Sequence, residues 1–183
     1  MFRKVLLIFI GLFITASVSF SQYAKPVSAE SILDKAKVES TSSGKNIFLI
    51  FHASWCSWCK RLDKAMKSDE LKNIFEDNFV IVHLDVMERG TKVDSLENPG
   101  GKDVMQKLGG EKSGLPFYVF LDKEEKMLAN SNVLNNQNIG YPGAADEIEA
   151  FVKLVKTNSK KMSDDEAKLM TDYFIMNAPK PKS

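Results

Sequence analysis

Phe51-His52-Ala53-Ser54-Trp55-Cys56-Ser57-Trp58-Cys59-Lys60 contains both cysteines of this 183-residue chain. Immediately before it, Asn46 opens the run Ile47-Phe48-Leu49-Ile50-Phe51, an unbroken apolar stretch bounded by turn signals. Such a run predicts a strand buried on both faces. Immediately after it, Cys59, Leu62 and Met66 recur at helical spacing, which predicts a helix from Cys56 to Lys67. The cysteines therefore fall where a buried strand turns into a helix.

Working outward, Ser28 to about Val38 reads as a helix with Ile32, Leu33, Ala36 and Lys37 along one side, followed by a Ser-rich loop over 40–45. Ser68 with Asp69 and Glu70 looks like a further helix start, an N-cap followed by first-turn acids. Phe79 to Asp85 is a second buried strand, and Met87 to Gly101 a long loop. Lys102 to Leu108 predicts a short helix closed by Gly109-Gly110. Pro116–Leu121 and Lys126–Ala129 form a hairpin about the turn 122–125, and the Asn-rich segment 130–138 reads as an exposed loop. After a turn at Tyr141-Pro142-Gly143, Ile148, Phe151, Val152 and Val155 define one helix face. Ser163 and Glu166 form a capping box for a last helix, and Pro179 and Pro181 end the order. A strand–helix–strand unit implies parallel pairing, whereas the hairpin adds antiparallel strands. The expected fold is α/β, a mixed sheet flanked by helices with an extra C-terminal helix.

Composition narrows the function. The chain is 44% hydrophobic and 27% charged, with 25 basic against 24 acidic side chains. That balance argues against a nucleic-acid partner, which selects a basic excess, and against an acidic disordered tail. Two cysteines at one place exclude a disulfide-stapled scaffold and an all-cysteine zinc site. The N-terminus has a basic start, Arg3-Lys4, an apolar run from Val5 to Val18, and small residues at Ser19 and Ser21. This reads as a signal peptide over 1–21 with Gln22 as the new terminus, because the apolar run falls short of the roughly 20 residues a membrane span needs. The expected organisation is then a linker over 22–27, one domain over 28–158, and a helical extension and tail over 159–183. Export to the periplasm or the exterior places the chain where disulfides persist.

Cysteines at i and i+3 at a helix start lie near disulfide distance. Cys56 sits where free backbone N–H groups and the helix dipole favour a thiolate, making it the candidate nucleophile. Cys59, one turn in, is the candidate resolving thiol. Lys60 adds positive charge that tunes the thiol, and Trp55 can cover the sulfur. Competing readings are a structural disulfide, a soft-metal site and core cysteines. Closing so small a loop is worth only about 2 kcal/mol by loop entropy. A metal would need further ligands, and the only histidines are His52 and His83, both expected near strand ends. No metal and no organic cofactor is expected, since a dithiol carries two electrons itself.

The segment Phe51–Lys60 resembles the active-site segment of the thioredoxin family. Gly114-Leu115-Pro116-Phe117-Tyr118-Val119-Phe120-Leu121-Asp122 is similar to that family's cis-proline loop and following strand. The resemblance spans about Ile32 to Phe151 and is nearest to exported bacterial members, including the soluble reductase domain of the transmembrane disulfide interchange protein. It implies a thioredoxin-like fold and exchange of protein disulfides or thiols with a redox partner that resets the pair. It also implies a cis Pro116 lying against the cysteines, with Trp55, Leu115 and Pro116 contacting substrate and Leu115 offering its backbone to an extended chain. The alternative is a binding protein of the same fold that handles a soft metal or docks a partner. One departure stands out: the family's buried carboxylate six residues before the first cysteine is Ile50 here. The segments 87–110 and 130–143 are additions without an assigned role.

Overall fold

The computed structural model describes residues 25–179. The signal peptide read over 1–21 lies outside the described residues, as does Pro181. No described helix is long and apolar enough to cross a membrane.

The first helix, α1 (Ala29–Ser43), is capped by Ser28, whose hydroxyl accepts the Ser31 N–H, and ends on Gly44 at φ 72°. It runs into the segment expected as a loop. Ser42 and Ser43 donate their hydroxyls back to the Glu39 carbonyl, so short polar side chains continue the helix until a left-handed residue stops it. Then follow β1 (Asn46–His52), α2 (Ser57–Met66), α3 (Lys72–Asn78) and β2 (Phe79–Asp85). The helix start expected at Ser68 is a single turn: the Ser68 hydroxyl accepts the Leu71 N–H, and α3 begins just beyond.

The loop 87–101 contains a short exposed helix, α4 (Lys92–Leu96), and leads into α5 (Gly101–Lys107). β3 (Phe117–Leu121) and β4 (Met127–Asn130) make the expected hairpin. The Asn-rich loop is instead a small hairpin of β5 (Asn132–Leu134) and β6 (Gln137–Asn138). The helices α6 (Ala145–Asn158) and α7 (Asp164–Met176) complete the described chain. The Ser163–Glu166 capping box opens α7 as the sequence predicts.

The main sheet runs β2-β1-β3-β4, with β1 parallel to β2 and antiparallel to β3, which is antiparallel to β4. β1 is central and buried on both faces. Its even residues Phe48 and Ile50 point with Tyr118 and Phe120 into a core closed by α2, α3, α6 and α7. Its odd residues Ile47, Leu49 and Phe51 point with Val119 and Leu121 into a second core under α1 and α5. This is the thioredoxin-like mixed sheet with helices on both faces and an added C-terminal helix.

Candidate active site

β1 ends at His52, and the Ala53 carbonyl accepts the Cys56 N–H at 3.0 Å, closing the turn that delivers Cys56 to the start of α2. Cys56 is the N-cap of that helix: its Sγ accepts the Cys59 N–H at 3.1 Å. A sulfur in this position faces unpaired donors and the positive end of the helix, the setting that lowers a thiol's pKa. Cys56 and Cys59 form a disulfide with their α-carbons 5.3 Å apart, and both residues are 3% exposed. The strong amphipathicity of α2, with Cys59, Leu62, Ala65 and Met66 inward, fixes which side of the helix carries the resolving position.

Leu115-Pro116 is a cis peptide immediately before β3. Leu115 packs against Ala53, Cys56 and Cys59, so two segments far apart in sequence meet at the disulfide. Trp55 and Trp58, which flank Cys56-Ser57 in sequence, stand at the surface, 38% and 48% exposed. Lys60 is exposed on the first turn of α2, its N–H donating to the Cys56 carbonyl at 3.2 Å. The structure thus gathers Trp55, Cys56, Cys59, Lys60, Leu115 and Pro116 at one end of the sheet.

Four contributors escaped the sequence reading. Tyr141 stacks on Trp58 with centroids 5.8 Å apart, and the Arg61 guanidinium lies 5.6 and 5.4 Å from the two rings. Together with Leu115, Ile139, Glu147 and Pro179, Trp58 and Tyr141 line a groove of about 500 Å³. Arg89 covers the Trp55 ring at 3.9 Å, and the Trp55 indole donates to the Met87 carbonyl at 2.8 Å. Glu88 is the fourth, and it is buried. A proline-flanked turn at Tyr141 was a readable signal; the meeting of 87–92 with Ser54 and Trp55 had none. A separate cavity of about 580 Å³, between Leu128–Leu134 and α6, shares no residue with this site.

Ile50 lies in the apolar core with Leu62 and Tyr118, so the carboxylate that the family resemblance would place there is replaced by packing. Titratable groups gather instead at the ends of β1 and β2. His83 Nε2 lies 2.8 Å from Asp63 on α2, and His52 Nε2 lies 3.3 Å from Asp85. Burial holds the His52 pKa below its ordinary value, outweighing the opposing pull of Asp85. Burial likewise raises Asp85, so the pair leans towards its neutral forms. Among the described residues, no group of three or more His, Cys, Asp or Glu is placed to hold a metal ion.

A mixed sheet with a Cys-x-x-Cys turn at the head of a helix, facing a cis-proline loop, defines the thioredoxin class of thiol–disulfide oxidoreductases. The thioredoxin-like family model matches residues 28–123, and the chain belongs to that family. Its fold is similar to that of a disulphide isomerase from Xylella fastidiosa Temecula1, at 20% identity and a TM-score of 0.50, over 89% of this chain and 98% of that one. It is also similar to the C-terminal domain of DsbD from Neisseria meningitidis in its oxidised form, at 16% identity and 0.49, over 74% and 99%. A third similar structure is titled DsbH oxidoreductase, at 23% identity and 0.46, over 78% and 93%.

Proposed function

We propose that this chain is an exported thiol–disulfide oxidoreductase that reduces or exchanges protein disulfides. The observation that carries the reading is the Cys56 sulfur at the N-cap of α2, already bonded to the one thiol able to resolve it. In the reduced protein the Cys56 thiolate attacks one sulfur of a substrate disulfide, forming a mixed disulfide and expelling the other sulfur as a thiolate. The Cys59 thiolate then attacks Cys56 Sγ, re-forming the Cys56–Cys59 bond and releasing the second substrate sulfur. Two electrons pass from the pair to the substrate. A partner dithiol returns them, and no organic cofactor takes part.

In this reading Trp55, Leu115 and Pro116 contact the substrate chain, and Lys60 favours the thiolate. Export rests on the basic and apolar pattern of residues 1–21; N-terminal sequencing of the mature protein is expected to start at Gln22.

Insulin-disulfide reduction tests the mechanism. Cys56→Ser is expected to abolish it, and Cys59→Ser to accumulate substrate as a mixed disulfide. Activity in Cys56→Ser overturns the assignment. A reduction potential below about −300 mV would instead mark the pair as a permanent staple.

A further inference from the structure

Glu88 is 7% exposed, although it lies in the loop after β2, where an acid ordinarily faces water. Its carboxylate accepts the Ser54 N–H at 2.5 Å and the Ser54 hydroxyl at 2.8 Å. Lys92 of α4 donates to the same Ser54 oxygen at 3.1 Å. The loop is set for this contact. The Val86 N–H donates to the His52 carbonyl at 2.8 Å, Met87 turns the chain at φ 57°, and the Glu88 N–H donates to Glu97 at 2.9 Å. Consecutive loop residues, Met87 and Glu88, thus hold consecutive turn residues, Trp55 and Ser54.

We propose that the Glu88 carboxylate is a positioning residue that fixes the turn in front of Cys56 and biases the cysteine pair towards giving up electrons. The proposal rests on the reading of Cys56 as the nucleophile. Ser54 is two residues from Cys56, inside the turn closed by the Cys56 N–H and the Ala53 carbonyl. A carboxylate held there opposes a thiolate on Cys56 and offsets part of the stabilisation from the start of α2. Disfavouring the thiolate favours the disulfide, so the reduced protein becomes the stronger donor. Holding the turn alone would need only a neutral acceptor. Burying a charge is costly, and a carboxylate bonded to Ser54, two residues before Cys56, acts through space on a thiolate there as a neutral acceptor would not. Other charged or titratable groups near the turn are Lys92, Arg89 and Glu97 from the loop, Lys60, Arg61 and Asp63 on α2, and His52, His83 and Asp85 at the strand ends.

The test uses the full mature protein, with iodoacetamide alkylation of the reduced form against pH and equilibration of the pair with glutathione. Glu88→Gln keeps the shape and an acceptor for Ser54 but removes the charge. It is expected to lower the alkylation midpoint by about half a pH unit or more and to shift the glutathione equilibrium about threefold towards the dithiol. Glu88→Asp keeps the charge but draws it back from Ser54, and is expected to lower the midpoint by less than Glu88→Gln does. Lys92→Met, at an exposed position that does not threaten folding, is expected to raise the midpoint. An unchanged midpoint and equilibrium in both Glu88→Gln and Lys92→Met overturns the proposal. Both readouts follow the thiols without turnover. A wild-type protein that fails to reduce insulin while Glu88→Gln still shifts the midpoint would sink the proposed activity and leave this role standing.

Discussion

His52 and His83 meet edge to face, with ring centroids 5.0 Å apart, and each leans on an aspartate beneath the cysteine turn. Asp63 shows how neighbours decide a pKa. Burial alone would raise it, but the hydrogen bond and charge of His83 outweigh burial and hold it below the ordinary 3.8. A carboxyl with a depressed folded pKa contributes stability that is complete above its unfolded value and lost as pH falls through the folded one. Asp63→Asn is therefore expected to cost about 1 kcal/mol at pH 7, with the gap to wild type narrowing towards pH 2 as the carboxyl is protonated below 3.8. Urea unfolding at the two pH values checks this. At this scale the sequence was readable where chemistry is local. The spacing of Cys56 and Cys59 needed no fold to be noticed, whereas Glu88 reads as a solvated loop acid until a contact across 34 positions buries it.

Elements were legible where apolar pattern and end signals agreed. β1 carries the unbroken apolar run Ile47–Phe51 and β2 the run Phe79–Val82, and α7 starts at its capping box. α4 carries no buried residue, so no periodicity could announce it. The β5–β6 hairpin did leave a signal. Asn135 and Asn136 both take left-handed backbone, at φ 51° and 57°, the pattern of a two-residue hairpin turn that asparagine tolerates. Polarity masked it, because neither strand has a face fully in the core. The turn matters beyond itself: the Asn138 amide donates to the Gly114 and Pro116 carbonyls at 2.7 and 3.0 Å, bracing the cis-proline loop. Asn136→Val, which places a β-branched residue in left-handed backbone, is expected to cost about 1–2 kcal/mol. Urea unfolding measures that cost, and Asn136→Gly is the control that should not show it.

Across the whole molecule, the sheet has one core under α1 and α5 and a second, larger one that α6 and α7 complete. The capping box made α7 predictable as a helix, but its docking on α6 and Tyr141 joins residues distant in sequence and could not be read locally. Met170 and Phe174 are fully buried in that second core, with the Phe174 ring 5.1 Å from Phe151 and 5.7 Å from Tyr141. The Tyr141 hydroxyl donates to the Asn177 carbonyl at 3.3 Å just past the helix, and the Tyr141 ring stacks on Trp58 in the Cys-x-x-Cys turn. Tyr141 therefore joins the C-terminal helix to the cysteine site. Phe174→Ala is expected to cost about 3–5 kcal/mol through the cavity it leaves. Tyr141→Ala tests the link to the site and is read on the folded fraction, because Tyr141 is itself buried in that core. It keeps Phe174 in the core but removes the stacking partner of Trp58, and is expected to raise KM for insulin reduction several-fold with kcat little changed. Equal activity in wild type and Tyr141→Ala would mean that α7 serves the core alone and that the aromatic wall of the groove takes no part in holding substrate.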